Sequence, residues 1–357
     1  MENNKKISFL AGVKYENKIF FSITEGNGLF SYDLTNDKMS FIGIFYKESI
    51  SQLLHIKALL IDDEMWLIPF EADYITCVNL KTFEMDFIAI PGEVSIVRKG
   101  LCVDAVKNDH DIYVLPYGID SLIKIDTYQH SCSVVYSNMK MASYCVRGMF
   151  VQDGFLNLIK RNGDIGVCID LSSMNNTVFD MENNSLEYND IFESDGNIYC
   201  LPYPAGCVIK KVKENDKLKD VQVLDVNYRT YFGGTKSGDS LILFPCNDNR
   251  SFWVGNDFSG KEIPETIKCS VVSNSIDWIK ANRIDSDEGV WIATVNGKIL
   301  DVTDLNNLRC ISMYVSDQVA DSIIKSYRNL EGNKNNSLFY EGNGGMGIKE
   351  FVSFIGN

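Results

Sequence analysis

Charged, amide and aromatic side chains recur at one position of an internal repeat, and they are the residues of this chain best suited to bind a ligand. They lie close to the position eight or nine residues ahead of a repeated hydrophobic segment. The candidates are Lys57, Asp104, Arg147, Asn189, Tyr231, Trp278, Lys280 and Arg283. Arginine and lysine can recognise an anion, and tryptophan and tyrosine can stack on a sugar, a base or a peptide side chain. The alternative is a water-filled channel lined by solvated polar residues.

Motifs for covalent, cofactor or metal chemistry are missing from the sequence. His55, His110 and His130 lie at different positions of the repeat, and Gly-x-Ser-x-Gly is absent. The glycine-rich stretch Gly342–Gly347 lacks the Gly-Lys-Ser/Thr ending of a phosphate loop. With three histidines, ten cysteines and no Cys-x-x-Cys, a zinc site is not expected. The sequence therefore predicts no cofactor and no metal, and it identifies no catalytic residue.

The repeated hydrophobic segment predicts the architecture. It is clearest at Met65–Phe70, Ile112–Tyr117 and Ile198–Tyr203, and fainter copies begin at Ile19, Leu156, Leu241 and Val290. The steps between copies are 46, 47, 44, 42, 43 and 49 residues. A period in the mid-forties with strand-like composition is typical of a β-propeller with one four-stranded sheet, or blade, in each repeat.

Each repeat resolves into four predicted strands. In the third repeat they are expected at about 101–107, 112–117, 122–126 and 133–136. An Asp or Asn stands near the end of the third strand in five repeats, at Asp33, Asn79, Asp126, Asp170 and Asp301. Such side chains accept backbone N–H bonds in turns, so they are interpreted as turn caps. The aromatic residues Phe20, Trp66, Tyr113, Tyr199 and Trp291 are expected in the core between blades.

The resulting fold prediction is all-β. Residues 7–315 are expected to form a seven-bladed β-propeller of four-stranded antiparallel blades, with blade one packed on blade seven and no exchanged strand. The first strand of each blade would line a central channel, which places the candidate residues at the channel mouth. Residues 316–357 are expected to form a partly helical capping extension, with a helix over 317–328. A docking peptide is the alternative for this tail.

The repeat rhythm over 7–315 resembles the broad class of seven-bladed propellers that includes Kelch-like, NHL and quinoprotein-like proteins. No subfamily is indicated. The strands lack the Trp-Asp ending of WD repeats, the double glycine of Kelch repeats occurs within the ring only at Gly233-Gly234, and Asp287–Trp291 is one residue short of the sialidase box. The resemblance therefore implies a fold and no site.

Composition narrows the function classes. The formal net charge of −14 disfavours nucleic acid and anionic membranes as partners. The ten cysteines are scattered among apolar strand residues, which is typical of a reducing compartment, so we expect a cytoplasmic protein.

These observations favour a non-catalytic binding or scaffold protein with a protein or peptide partner at the channel mouth. One alternative is an enzyme, a lyase, isomerase or hydrolase, acting on a small anionic or sugar substrate at the same place. The other is a small-molecule sensor or carrier.

Overall fold

The structure is a computed structural model. It describes residues 5–48, 53–91, 102–116, 121–137, 146–160, 165–181, 187–194, 196–203, 207–214, 217–225, 231–237, 240–245, 253–256, 259–262, 282–286, 288–294, 297–304, 307, 309–316, 319 and 321–323. The chain divides into two compact units, one formed by residues 1–101 with 282–357 and the other by residues 102–281. The predicted domain boundaries at 7–315 and 316–357 stay predictions.

The first unit opens with the short strand β1 (Lys5–Lys6). Its first sheet consists of β2 (Phe9–Tyr15), β3 (Lys18–Ile23), β4 (Leu29–Asp33) and β5 (Lys38–Gly43). Its second sheet consists of β6 (His55–Ile61), β7 (Glu64–Pro69), β8 (Tyr74–Asn79) and β9 (Met85–Ala89).

The second unit contributes sixteen strands in four consecutive sets. The third set is β10 (Cys102–Asn108), β11 (Asp111–Pro116), β12 (Ser121–Asp126) and β13 (Ser131–Ser137). The fourth is β14 (Val146–Gln152), β15 (Phe155–Lys160), β16 (Ile165–Asp170) and β17 (Asn176–Met181). The fifth is β18 (Glu187–Ser194), β19 (Asn197–Tyr203), β20 (Cys207–Glu214) and β21 (Lys217–Asp225). The sixth is β22 (Tyr231–Ser237), β23 (Ser240–Pro245), β24 (Trp253–Asn256) and β25 (Ser259–Glu262).

The last set returns to the first unit. It consists of β26 (Asn282–Ile284), β27 (Trp291–Thr294), β28 (Lys298–Asp301) and β29 (Arg309–Ser312). The two-residue strand β30 (Tyr314–Val315) pairs with β1. This short strand is separate from β29, and it joins the beginning of the chain to its later part.

Within every set the strands follow one another as an antiparallel meander, so the four-stranded pattern predicted from the repeat is confirmed. One departure concerns the fourth and fifth sets. Their outer strands β17 and β21 pair in parallel through Asp180 with Lys217 and Met181 with Leu218, which merges the two sets into one eight-stranded sheet.

The second strand of each repeat lies in the core, as its apolar composition predicts. β3, β7 and β11 are buried from their second residue onward, because both faces of the sheet are covered. The aromatic residues that follow the start of this strand are all buried, at exposed fractions of 2% for Phe20, 0% for Trp66, 2% for Tyr113, 1% for Tyr199 and 6% for Trp291. Their predicted core role is confirmed.

The first sheet of the first unit packs between the last and the second sheets. Strand β2 contacts both β26 and β6. The Lys14 N–H donates to the Asp285 carbonyl at 2.8 Å, and the Asp285 N–H donates to the Gly12 carbonyl at 3.3 Å. One apolar cluster joins the first and last sheets, including Phe21, Trp291 and Ile311. The predicted packing of the first blade on the last is confirmed within this unit.

In the second unit the first strands lie side by side in chain order, β10 against β14, β14 against β18 and β18 against β22. Apolar clusters fill the spaces between sets. Tyr113 and Leu122 of the third set pack with Leu158 of the fourth, and Phe150 of the fourth packs with Ile191 of the fifth.

The predicted tail helix is described only at its beginning. Val319 and Asp321–Ile323 are helical, and Ile323 is 1% exposed within the cluster of the first and last sheets. The rest of the predicted helix and the tail to residue 357 lie outside the described residues. Among the described helical residues, none belongs to a segment long and apolar enough to cross a membrane.

The two ends of each sheet are built differently. We call the end where the first strand begins and the second strand passes to the third the entry end, and the opposite end, with its two tight hairpins, the hairpin end. At the hairpin end the predicted turn caps are confirmed. Carboxylate or amide Oδ1 accepts a backbone N–H two or three residues on at 2.8–3.0 Å in all five cases, which are Asp33, Asn79, Asp126, Asp170 and Asp301.

Candidate functional site at the entry end of the sheets

The structure places the described candidates on first strands, as the repeat predicts. Lys57 lies in β6, Asp104 in β10, Arg147 in β14, Asn189 in β18, Tyr231 in β22 and Arg283 in β26. Trp278 and Lys280 lie outside the described residues. In the second unit the strands that carry Asp104, Arg147, Asn189 and Tyr231 are consecutive neighbours. In the first unit β2 lies between the strands that carry Lys57 and Arg283.

A β-bulge recurs at the same place in six first strands. Each begins with one or two pairs, skips a residue and then resumes pairing. The skipped residues are Leu10, Ile56, Val103, Arg147, Asn189 and Phe232. Such bulges redirect side chains and bend the strand, and they are over-represented next to functional sites. The candidate positions are therefore a geometric feature of the fold as well as a pattern in the sequence.

The candidates stand at different places relative to the bulge, and Tyr231 is the paired residue before it in β22. Arg147 and Asn189 are skipped residues, whereas Lys57 and Asp104 directly follow one. Asp104 is 8% exposed, and its Oδ1 accepts the Ala105 N–H at 2.9 Å. Lys57 is half-buried and Arg283 is exposed. Arg283 pairs with Ile292 inside a regular ladder, so it is not equivalent to the others.

A glycine sets the distance between two of the bulged strands. Gly148 follows Arg147, and a Cβ added there would stand 2.7 Å from the carbonyl oxygen of Ile191 in β18. Only a residue without a side chain lets the two backbones approach this closely. Arg147 and Asn189 are thereby carried by first strands held in close contact.

The entry end of the first sheet contains a buried polar cluster, which we call the Glu25 cluster and define as Ser8, Ser22, Thr24, Glu25, Asn27, Glu48 and His55. Glu25 Oε1 accepts the Ser8 N–H at 2.8 Å and the Ser8 hydroxyl at 2.6 Å, and the hydroxyls of Ser8 and Thr24 also bond to each other. Glu25 as a whole residue is only partly buried, but its Oε2 is shut off from solvent. Burial raises the pKa of its carboxyl to about 7, against the lowering effect of the Ser8 bonds.

Glu48 and Asn27 tie together the loops around this end. Glu48 accepts the N–H groups of Asp73 and Tyr74 at 2.8 and 2.9 Å, and burial raises the pKa of its carboxyl to about 7. Asn27, fully buried, donates to the carbonyls of Phe45 and Glu48 and accepts the Phe45 N–H at 2.8 Å. These bonds fix the connection between the first two sheets.

His55 completes the cluster as a neutral residue. Its Nδ1 lies 2.9 Å from the Ser22 hydroxyl, its ring meets Phe45 edge to face at 4.8 Å, and its exposed fraction is 2%. Burial lowers the pKa of the imidazole to about 3. Ser22 is only 3% exposed, so a substrate cannot reach this serine–histidine pair as it could in a hydrolase.

The backbone next to His55 is strained. Leu53 has φ of 54° although it is a bulky residue, and its N–H donates to the Thr24 carbonyl at 2.8 Å while its carbonyl accepts the Glu71 N–H. The left-handed region is costly for leucine, and surrounding bonds must hold it there. The Glu25 cluster therefore stabilises one rigid arrangement of the entry-end loops and presents no reactive group to solvent.

Sequence reasoning missed most of this cluster. It named His55 but did not address Glu25, Asn27 or Glu48. The bulge had a usable signal. Four prolines lie at the last or next-to-last residue of the second strand and stand opposite the residue before the bulge, namely Pro69, Pro116, Pro202 and Pro245. Proline has no N–H to donate, so it marks a place where regular pairing stops.

Comparison with known proteins identifies the fold class. No family model matches the chain, and no curated protein matches its sequence. Solved structures do match. YCF48 from Cyanidioschyzon merolae is 10% identical with a TM-score of 0.61, over 83% of this chain and 95% of that one. The structure is also similar to PorZ, a surface component of the type-IX secretion system of Porphyromonas gingivalis, at 9% identity and a TM-score of 0.61.

The match to PorZ covers 88% of this chain but only 39% of PorZ. A second YCF48 structure, bound to a D1 peptide, is 12% identical with a TM-score of 0.52, over 67% of this chain and 75% of that one. At such identities the likeness shows the fold alone. Together with the four-stranded antiparallel sheets it shows that this chain has a β-propeller fold, as predicted. The count of seven blades stays a prediction.

Proposed function

We propose that this chain is a non-catalytic, seven-bladed propeller of the broad Kelch-like class that binds a protein or peptide partner at the entry end of its first strands, where the central channel of a propeller opens. The proposed contact residues among those described are Lys57, Asp104, Arg147, Asn189, Tyr231 and Arg283, and Trp278 and Lys280 of the last repeat are proposed with them. The proposed compartment is the cytoplasm, on the grounds of the scattered cysteines.

The recurrent bulge carries this proposal. A bulge in one strand serves local geometry, but the same bulge in six first strands supports a shared function for that edge of the sheets. The residues at and after it differ from repeat to repeat, and they include Lys57, Asp104, Arg147 and Asn189. A constant backbone whose side chains vary, and include a polar one in four of the six strands, suits recognition of an extended partner.

The comparisons give this proposal a parallel. A YCF48 structure is described as bound to a D1 peptide, and that protein shares the fold of this chain. The rigid Glu25 cluster adds support, because entry-end loops that are already fixed lose less conformational entropy when a partner binds.

The enzyme alternative has less support among the described residues. The Ser22–His55 pair is enclosed, and the carboxyl of Glu25 is occupied by Ser8. A small-molecule carrier that uses the same residues is the remaining alternative. The size of the ligand that the protein binds would distinguish such a carrier from a peptide-binding protein.

A displayed random-peptide library selected on the full-length protein tests the proposal. We expect peptides to be recovered, and Arg147→Ala to weaken them by about 1.5–3 kcal/mol if its charge-assisted hydrogen bonds are direct. Asp104→Asn, which keeps the shape of the side chain, is the second variant, and Lys38→Ala on the exposed part of β5 is the control. Peptides that bind all four proteins equally would contradict the proposed site.

A further inference from the structure

Three aromatic rings meet on the outer half of the second sheet, away from the bulged first strands. Tyr46 lies in the segment that follows β5, Tyr74 begins β8, and Phe87 lies in β9. The Tyr46 ring meets Phe87 edge to face at 4.7 Å and 70°, and Tyr74 meets Phe87 at 6.0 Å and 84°. Tyr46 is 46% exposed, and the other two rings are half-buried. The group therefore opens to solvent on one side.

A lysine of the chain itself lies over these rings. The Lys47 Nζ is 5.4 Å from the centre of the Phe87 ring and 5.9 Å from the centre of the Tyr74 ring. Both distances are within the range of about 6 Å over which an aromatic face attracts a cation. Lys47 is exposed and follows Tyr46 directly, so its ammonium can leave the rings without disturbing the core. The arrangement shows that these rings can hold an ammonium group.

We propose that Tyr46, Tyr74 and Phe87 form a docking site for a lysine side chain of a protein partner, and that Lys47 occupies this site when the partner is absent. The formal net charge of −14 attracts a basic partner, and the exposed Asp73 directly precedes Tyr74. An ammonium over exposed rings gains only about two- to five-fold in affinity, which is too little to hold a free small amine. The lysine must therefore belong to a larger contacting surface.

Titration calorimetry of the full-length protein with a short lysine-rich peptide tests this site. Phe87→Leu should weaken the peptide about two- to five-fold, because the ring face is removed. Lys47→Gln should strengthen it by a similar factor of about two to five, because the competing ammonium is gone. A peptide with glutamine in place of every lysine should not bind measurably to the wild type or to either variant.

Matched controls separate the site from general charge and packing effects. Lys18→Gln makes the same charge change at an exposed position at the hairpin end of the first sheet, and it should change affinity less than Lys47→Gln. Tyr128→Leu removes a ring that is 74% exposed and stacks on His110 at 4.2 Å, and it should leave binding unchanged.

Three outcomes would overturn the proposal. The first is an equal gain in peptide affinity from Lys18→Gln and Lys47→Gln, which would show that the change in net charge alone causes the gain. The second is unchanged binding in Phe87→Leu at an unchanged thermal midpoint. The third is tetramethylammonium binding as tightly as the peptide, which would make the rings a site for small cations instead of a protein lysine.

Discussion

Carboxyl groups at the two ends of the sheets have opposite properties. At the hairpin end, Asp33 and Asp170 accept backbone N–H groups in exposed turns. Those hydrogen bonds lower the pKa of both, to about 2 for Asp170, where the Ser172 hydroxyl contributes most. At the entry end, burial raises the pKa of Glu25 and Glu48 to about 7. The same functional group is favoured as an anion at one end and as a neutral acid at the other.

The two kinds of carboxyl group also differ in what they connect. A hairpin-end aspartate closes a turn between two strands of its own sheet, so it serves each repeat alone. The entry-end glutamates connect separate segments, Glu25 to Ser8 and Glu48 to Asp73 and Tyr74. Residues that fix loops between sheets at some cost in desolvation are typical of a surface whose shape matters.

The strongest test of this contrast is Asn27→Ala. The substitution leaves three buried backbone groups without their partner, the N–H and carbonyl of Phe45 and the carbonyl of Glu48. At about 1–3 kcal/mol for each unsatisfied group, with partial relaxation, we expect a loss of about 3 kcal/mol in the free energy of unfolding. Urea denaturation followed by circular dichroism measures it.

The hairpin end supplies the control for this variant. Asn36 is exposed, and its amide donates to Asp33 at 3.3 Å, so Asn36→Ala should change stability by less than about 0.5 kcal/mol. Asn27→Asp keeps the acceptor for Phe45 and loses the donors, so it should fall between the two. Equal losses for Asn27→Ala and Asn36→Ala would remove the distinction between the ends.

The hairpin end was predictable from the sequence and most of the entry end was not. A turn cap needs only an Asp or Asn and a backbone N–H two or three residues away, so local spacing identified Asp33, Asn79, Asp126, Asp170 and Asp301. The core aromatics followed a local periodicity in the same way. The Glu25 carboxyl is hydrogen-bonded by Ser8, which lies 17 residues away and is brought near it by the pairing of β2 with β3. No local pattern encodes that contact.

The candidate binding residues were partly predictable from the sequence. Equivalence across repeats placed Arg147 and Asn189 at one position of the first strand, and the structure explains it by the bulge. The merging of the fourth and fifth sets through β17 and β21 had no sequence signal, since it depends on where two outer strands end in space. Pairing between strands of different repeats is therefore a feature that the sequence did not predict.

A change of intermediate size in the free energy of unfolding is expected from a change in pH. The folded pKa of Glu25 is about 7 and its ordinary value is 4.5, so the folded chain binds this proton more tightly than the unfolded chain does. The stabilisation is complete below pH 4.5 and is lost as pH rises through 7. At about 1.4 kcal/mol for each unit of pKa difference, the change is on the order of 1–3 kcal/mol.

Glu25→Gln isolates this contribution. The variant keeps an uncharged acceptor for Ser8 and does not titrate, so its stability relative to the wild type should rise between pH 4.5 and 7. The comparison also removes the contribution of His55, which is the same in both proteins. The pKa of His55 is lowered to about 3, so its contribution has the opposite pH dependence, and stability is lost as pH falls below 6.5. A stability difference that does not change over this range would show that the Glu25 carboxyl is solvated.

The smallest effect is expected from Asp170→Asn at the hairpin end. Asn79 occupies the equivalent place in the second repeat, and its Oδ1 accepts the Lys81 N–H at 3.0 Å, so an amide is sufficient to close this turn. We therefore expect a stability change at neutral pH that is too small to resolve by urea denaturation. Below pH 3.8 the wild type should lose the contribution of its ionised carboxylate as pH falls through 2, and the variant should not. Asp170→Ala, which removes the acceptor, should cost more than Asp170→Asn at every pH. If both substitutions cost the same at neutral pH, charge and not hydrogen-bond geometry would hold the turn, and the two ends would differ only in how much solvent reaches their carboxylates.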